Sequence, residues 1–74
     1  MSAKEMFEEL GYEFVQGIDC IYYKKTENLD IYVIIFNDNK TITKKRFYNY
    51  EYEYITNDEL KAINKQVEEL HWND

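Results

Sequence analysis

Apolar and polar positions along this chain change period twice. Near the N-terminus Ala3, Met6, Phe7 and Leu10 recur at i, i+3, i+4 and i+7, one stripe of a helix. Ser2 and Glu5 form a capping box ahead of the stripe, and Gly11 follows where helices end left-handed. The spacing predicts a helix over 2–10. From Tyr12 the period falls to two. Tyr12 to Gln16 and Ile18 to Tyr23 read as short strands around a turn at Gly17, with Lys24 to Asn28 as a polar connection. Leu29 to Phe36 is β-branched and aromatic on both faces, the mark of a central strand. Asn37, Asp38 and Asn39 make the next turn, and Lys40 to Ile55 returns as a long strand bent near 46–50. Within it Tyr48, Tyr50, Tyr52 and Tyr54 alternate with Asn49, Glu51 and Glu53, giving one aromatic and one polar face.

The helical period resumes at the C-terminus. Thr56 and Glu59 form a second capping box, with Ile55 and Leu60 at the positions of a hydrophobic staple. Leu60, Ile63, Val67 and Leu70 give one apolar seam, which predicts a helix over 57–71 with Trp72 folded back over a core edge. The order helix, four strands, helix predicts a single α+β domain over 1–74. Its sheet is an antiparallel meander, with both helices packed on one sheet face.

Hairpin register decides which residues share each face, and the central strand is apolar on both sides in either register. If Asp38-Asn39 is a two-residue loop, Ile35 opposes Ile42. Leu29, Ile31, Val33 and Ile35 then share the core face with Ile42 and the alternating tyrosines. The opposite face exposes Tyr32, Ile34, Phe36 and Phe47, with Glu51 and Glu53 at the rim. Exposed apolar surface of that extent marks an interface. A three-residue loop shifts the pairing by one and changes which residues join which face.

Composition sharpens the expectation of an interface. A chain of 74 residues supports only a small core, which gives self-association weight. Cys20 is the sole cysteine and His71 the sole histidine, so neither an intrachain disulfide nor the usual four-ligand zinc site is expected. The N-terminus lacks a signal-peptide pattern, and the longest apolar run, 31–36, is too short to span a bilayer. A cytoplasmic protein without membrane contact is expected. The net charge of −6 is uneven: −4 over residues 1–20, +3 over 21–48 and −5 over 49–74.

Searches for chemistry return little. Lys40, Lys44, Lys45 and Arg46 beside Phe47 and Tyr48 are the ingredients of a single-stranded nucleic-acid platform, but the acidic chain opposes phosphate binding. Glu8-Glu9 and Glu68-Glu69 diverge as helix neighbours. Asn37-Asp38-Asn39 lacks the glycine and the acidic twelfth residue of a calcium loop. His71 suits a helix C-terminus, and Cys20 reads as a buried structural thiol. No catalytic constellation and no cofactor site emerge, so the chain is not expected to be an enzyme.

The segments AKEMFEELGYEF at Ala3 to Phe14 and DELKAINKQVEELHW at Asp58 to Trp72 resemble a group of small acidic proteins. These are encoded by phages and prophages of Gram-positive bacteria of the Firmicutes. The matching segments cover a little over a third of the chain, and Leu70-His71-Trp72 departs from a Leu-Gly-Trp ending in that group. The resemblance implies a bacterial cytosolic setting and a phage accessory role, and transfers no catalytic or binding residue. The expected function is interaction with an unidentified host or phage protein, one route being inhibition of a host system by nucleic-acid mimicry. A homodimeric structural module and a single-stranded nucleic-acid binder are the alternatives. No nucleic-acid partner is expected on charge grounds.

Overall fold

The structure, a computed structural model, describes residues 1–47 and 53–74. Its elements are α1 (Ala3–Glu9), β1 (Glu13–Gln16), β2 (Cys20–Glu27), β3 (Asp30–Asn37), β4 (Ile42–Phe47) and α2 (Asn57–Glu69). The strands form one open antiparallel sheet in the order β1-β2-β3-β4, so the predicted class and element order hold. No described helix is long and apolar enough to cross a membrane.

Both helices begin and end by the same means. Ser2 and Thr56 accept from the backbone of Glu5 and Glu59, whose carboxylates reach back, so both capping boxes form. At the C-termini the N–H of Gly11 donates to Glu8 O and that of Tyr12 to Phe7 O, while His71 donates to Glu68 O and Trp72 to Val67 O. This paired pattern needs a left-handed residue after the cap. Gly11 takes it at φ 91° and His71 at φ 58°.

Three expectations about the strands need correction. Lys24 to Glu27 is not a connection but the second half of β2, where Lys24 pairs with Val33 and Glu27 with Asp30. A central strand as long as β3 leaves backbone groups on both sides, and β2 satisfies them over its full length. Leu29 sits outside β3 in the tight hairpin before it and is 88% exposed rather than core.

The third correction inverts the two faces. The loop after β3 has three residues, Asp38 to Lys40. Lys40 N donates to Asn37 O, Asn37 N donates to Thr41 O, and Lys40 turns left-handed at φ 65°. Phe36 therefore faces Ile42, and Ile35 faces Thr43. That one-residue shift puts Ile42 beside Phe36 instead of Ile35 and changes which β4 residues share each face. Ile34 and Phe36, expected on an open interface, are core residues at 0% and 2% exposure, and Tyr32 packs half-buried against them. Phe47 alone of that set stays on the open face, with Ile31, Val33 and Ile35. Glu51, Tyr48, Tyr50 and Tyr52 lie outside the described residues.

Aromatic rings build the core. Phe7 of α1 stacks on Tyr23 of β2 at 3.9 Å between centroids, and both meet Phe36 edge-on at 6.2 and 6.1 Å. The Tyr23 hydroxyl donates to Gln66 Oε1 of α2 at 2.5 Å. Side chains of both helices thus reach the same sheet face through one tyrosine. The ring of Trp72 folds back to within 6.1 Å of Phe36, at the core edge where it was expected.

The face that α2 buries differs from the expected seam. Glu59, Ala62, Ile63 and Gln66 are buried, while Leu60 is 45% exposed and Val67 and Leu70 are half-buried. These four also lie at i, i+3, i+4 and i+7. Two of them are polar because buried tyrosine hydroxyls require partners.

Candidate functional site

Two regions gather side chains that bear on function. One is a polar junction where Tyr12, just before β1, meets Lys44 of β4 and the first turn of α2. The buried Glu59 carboxylate accepts from the Tyr12 hydroxyl at 2.5 Å, from Lys44 Nζ at 2.9 Å and from Thr56 N at 3.0 Å. Burial works to raise its pKa. The hydrogen bonds from Tyr12, Thr56 and Lys44 outweigh that and hold the carboxyl below its usual range. Tyr12 is pushed the opposite way, by burial and then by its bond to Glu59.

Beside this junction the Tyr32 ring is surrounded by cations. Arg46 Cζ lies 5.1 Å from its centroid, Lys25 Nζ 5.4 Å and Lys44 Nζ 5.8 Å. Arg46 is paired with Asp30 at 2.6 Å, and Lys44 also donates to the Tyr54 carbonyl. Glu53, expected at an interface rim, borders this cleft on the helix-covered side. The junction is poor machinery for catalysis. An ionised carboxylate already accepting three hydrogen bonds is neither a general acid nor a free base. Its geometry ties α2 to the sheet.

The basic cluster of β4 is divided by the same alternation. Lys44 and Arg46 turn to the helix side and meet Glu59 and Asp30, and only Lys45 turns to the open face. A continuous phosphate-binding strip is not formed there.

The other region is the open face itself. Ile31, Val33 and Ile35 of β3 form its spine, flanked by Tyr22 and Lys24 of β2 and by Phe47 of β4. Phe47 is 44% exposed, and no described residue of either helix lines this surface. The free thiol of Cys20 is half-buried at its edge. Across the sheet Glu13, Lys24, Val33 and Lys45 stand side by side in one row, and Val15, Tyr22, Ile35 and Thr43 in the next. The centre of this surface is apolar, and Lys24 and Lys45 flank it.

Among the described residues no group of His, Cys, Asp and Glu could hold a metal ion. The chain matches no protein-family model, no curated protein and no solved structure.

Of the residues expected at an open interface, Phe47 is exposed on the open side, while Ile34 and Phe36 are core. Sequence reading put Val33 in the core, and Val33 is 9% exposed, but it did not place half-buried Tyr22, Ile31 and Ile35 or exposed Lys24 on the open side. The available signal was Lys40. A three-residue loop ending in a left-handed residue competes with the Asp38-Asn39 turn, and the two differ in every face assignment that follows.

Proposed function

We infer that this chain works by binding protein through its open sheet face, and not by catalysis. One observation carries the reading: exposed Phe47 and half-buried Ile31 and Ile35, set around a buried Val33, line a surface that no described helix residue borders. Large apolar patches rimmed by charge serve contacts. The polar junction supports the same reading from the other side, since its charges are consumed in holding α2. A binding role also accords with the phage accessory setting that the sequence resemblance implies.

Ile35→Glu tests this. Its side chain lies on the open face, so helical and sheet circular dichroism should be retained. Complex formation, with itself or with proteins of a bacterial lysate, should be lost. Complexes that form unchanged with the variant would sink the reading.

A further inference from the structure

We propose that the occupant of the open face is a second copy of this chain, docked face to face about a two-fold axis parallel to the strands. This rests on the open face being the contact surface. The charge pattern across the sheet supplies the argument. Glu13 of β1 and Lys45 of β4 are exposed and stand at opposite ends of one row, with Lys24 and Val33 between them. A two-fold axis between the sheets and along the strands preserves each row and reverses its order. β1 then lies over β4 of the second copy, and β2 over β3.

Under that operation Glu13 meets Lys45 of the second copy, and Lys45 meets its Glu13. In the next row Tyr22 meets Ile35 of the second copy, twice. Lys24 lies over Val33 of the second copy. Its stem adds apolar contact, and Glu13 is its neighbour across the ladder. An isologous contact of this kind requires a self-complementary surface, which this row is. An axis perpendicular to the strands would stack the row of lysines on the row of Tyr22 and Thr43, with no acid opposite. Among the described residues the open face carries two lysines against one glutamate on a chain of net charge −6, which lowers the repulsion between two copies there. Sheets pack about 10 Å apart with strands within about 30°, a distance that paired Glu and Lys side chains span.

Sedimentation of the full chain across a dilution series tests the pairing, with circular dichroism confirming the fold. Wild type should be a dimer that dissociates on dilution. Glu13→Lys and Lys45→Glu should each raise the dimer dissociation constant about tenfold, because each sets like charges together twice. The double variant should return to within about threefold of wild type. Wild type that stays monomeric throughout overturns the second copy as occupant but leaves the contact-surface reading standing, because Ile35→Glu can still abolish binding to another protein. A dimer indifferent to Ile35→Glu overturns both. A dimer lost with Ile35→Glu but with no rescue in the double charge variant overturns this axis.

Discussion

On β3 the residues Ile34 and Phe36 are buried in a cluster with Phe7, Ala62 and Ile63, and Ile31, Val33 and Ile35, one step out of phase, lie on the other side, where Val33 is 9% exposed and its two neighbours half-buried. Hydropathy does not separate the two sets. Their partners do. Phe36 and Ile34 meet a cluster of rings from Phe7 and Tyr23 and the apolar step of α2 at Ala62 and Ile63. The polar residues around that side are matched in detail: Glu59 with Tyr12 and Lys44, Gln66 with Tyr23, Asp30 with Arg46. The bare side has apolar residues and lysines without such a framework. A strand apolar on both sides thus meets rings and residues of both helices on one side, and on the other meets no described helix residue.

The sharpest way to break that contrast is a pair of adjacent substitutions. Ile34→Asp puts a charge at a position of 0% exposure, and should cost roughly 3–5 kcal/mol, enough to unfold a chain of this size. Ile35→Asp should leave the denaturation midpoint of the monomer within about 1 kcal/mol of wild type. Chemical denaturation of both at low protein concentration reads the difference. Equal losses would mean that the two faces are both core.

Next in size is the polar frame of the covered side. Glu59→Ala leaves Lys44 and the Tyr12 hydroxyl without their carboxylate and should destabilise by about 3 kcal/mol. Glu59→Gln tests the charge separately. Because the folded carboxyl is held below its unfolded value, its contribution is complete above the ordinary glutamate range and lost as pH falls through the lowered value. The acid side of the stability profile should therefore flatten in Glu59→Gln. A profile identical to wild type would remove the ionised junction from the account.

How much of this was legible in sequence follows from the range of each interaction. The capping boxes at Ser2–Glu5 and Thr56–Glu59 are local, spanning three residues, and both helix starts form as read. The strand order follows from short turns and period-two patterning. Which β4 residues join each face of β3 rests on a single residue of loop length, and two turns at Asp38 differ in it; which face becomes core rests on distant partners, Phe7 of α1 and Ala62 and Ile63 of α2. The buried face of α2 was misread because Leu60 and Val67 outrank Glu59 and Gln66 in hydropathy. The tyrosine hydroxyls that bury the polar pair come from residues 43 and 47 positions away. Such long-range partners leave no periodic trace.

The smallest effect uses a second adjacent pair, Tyr22 and Tyr23. Their rings project to opposite sides of β2, and Tyr23 is 1% exposed with its hydroxyl on Gln66. Tyr23→Phe leaves the buried Gln66 carbonyl without its donor and should cost about 1–2 kcal/mol. Tyr22→Phe, on the open face, should change monomer stability by less than about 0.5 kcal/mol. Tyr23 also responds to alkali. Burial, reinforced by the charges of Glu69 and Glu8, pushes the Tyr23 hydroxyl up to about 12. A raised folded value means that its contribution is intact below the ordinary tyrosine range near 10 and lost as pH rises from there toward about 12. Denaturation midpoints measured across that window should fall steeply for wild type and less steeply for Tyr23→Phe. If Tyr23→Phe keeps the full alkaline slope, the buried hydroxyl is not what couples α2 to the sheet, and the line drawn between the two faces at Tyr23 loses its best support.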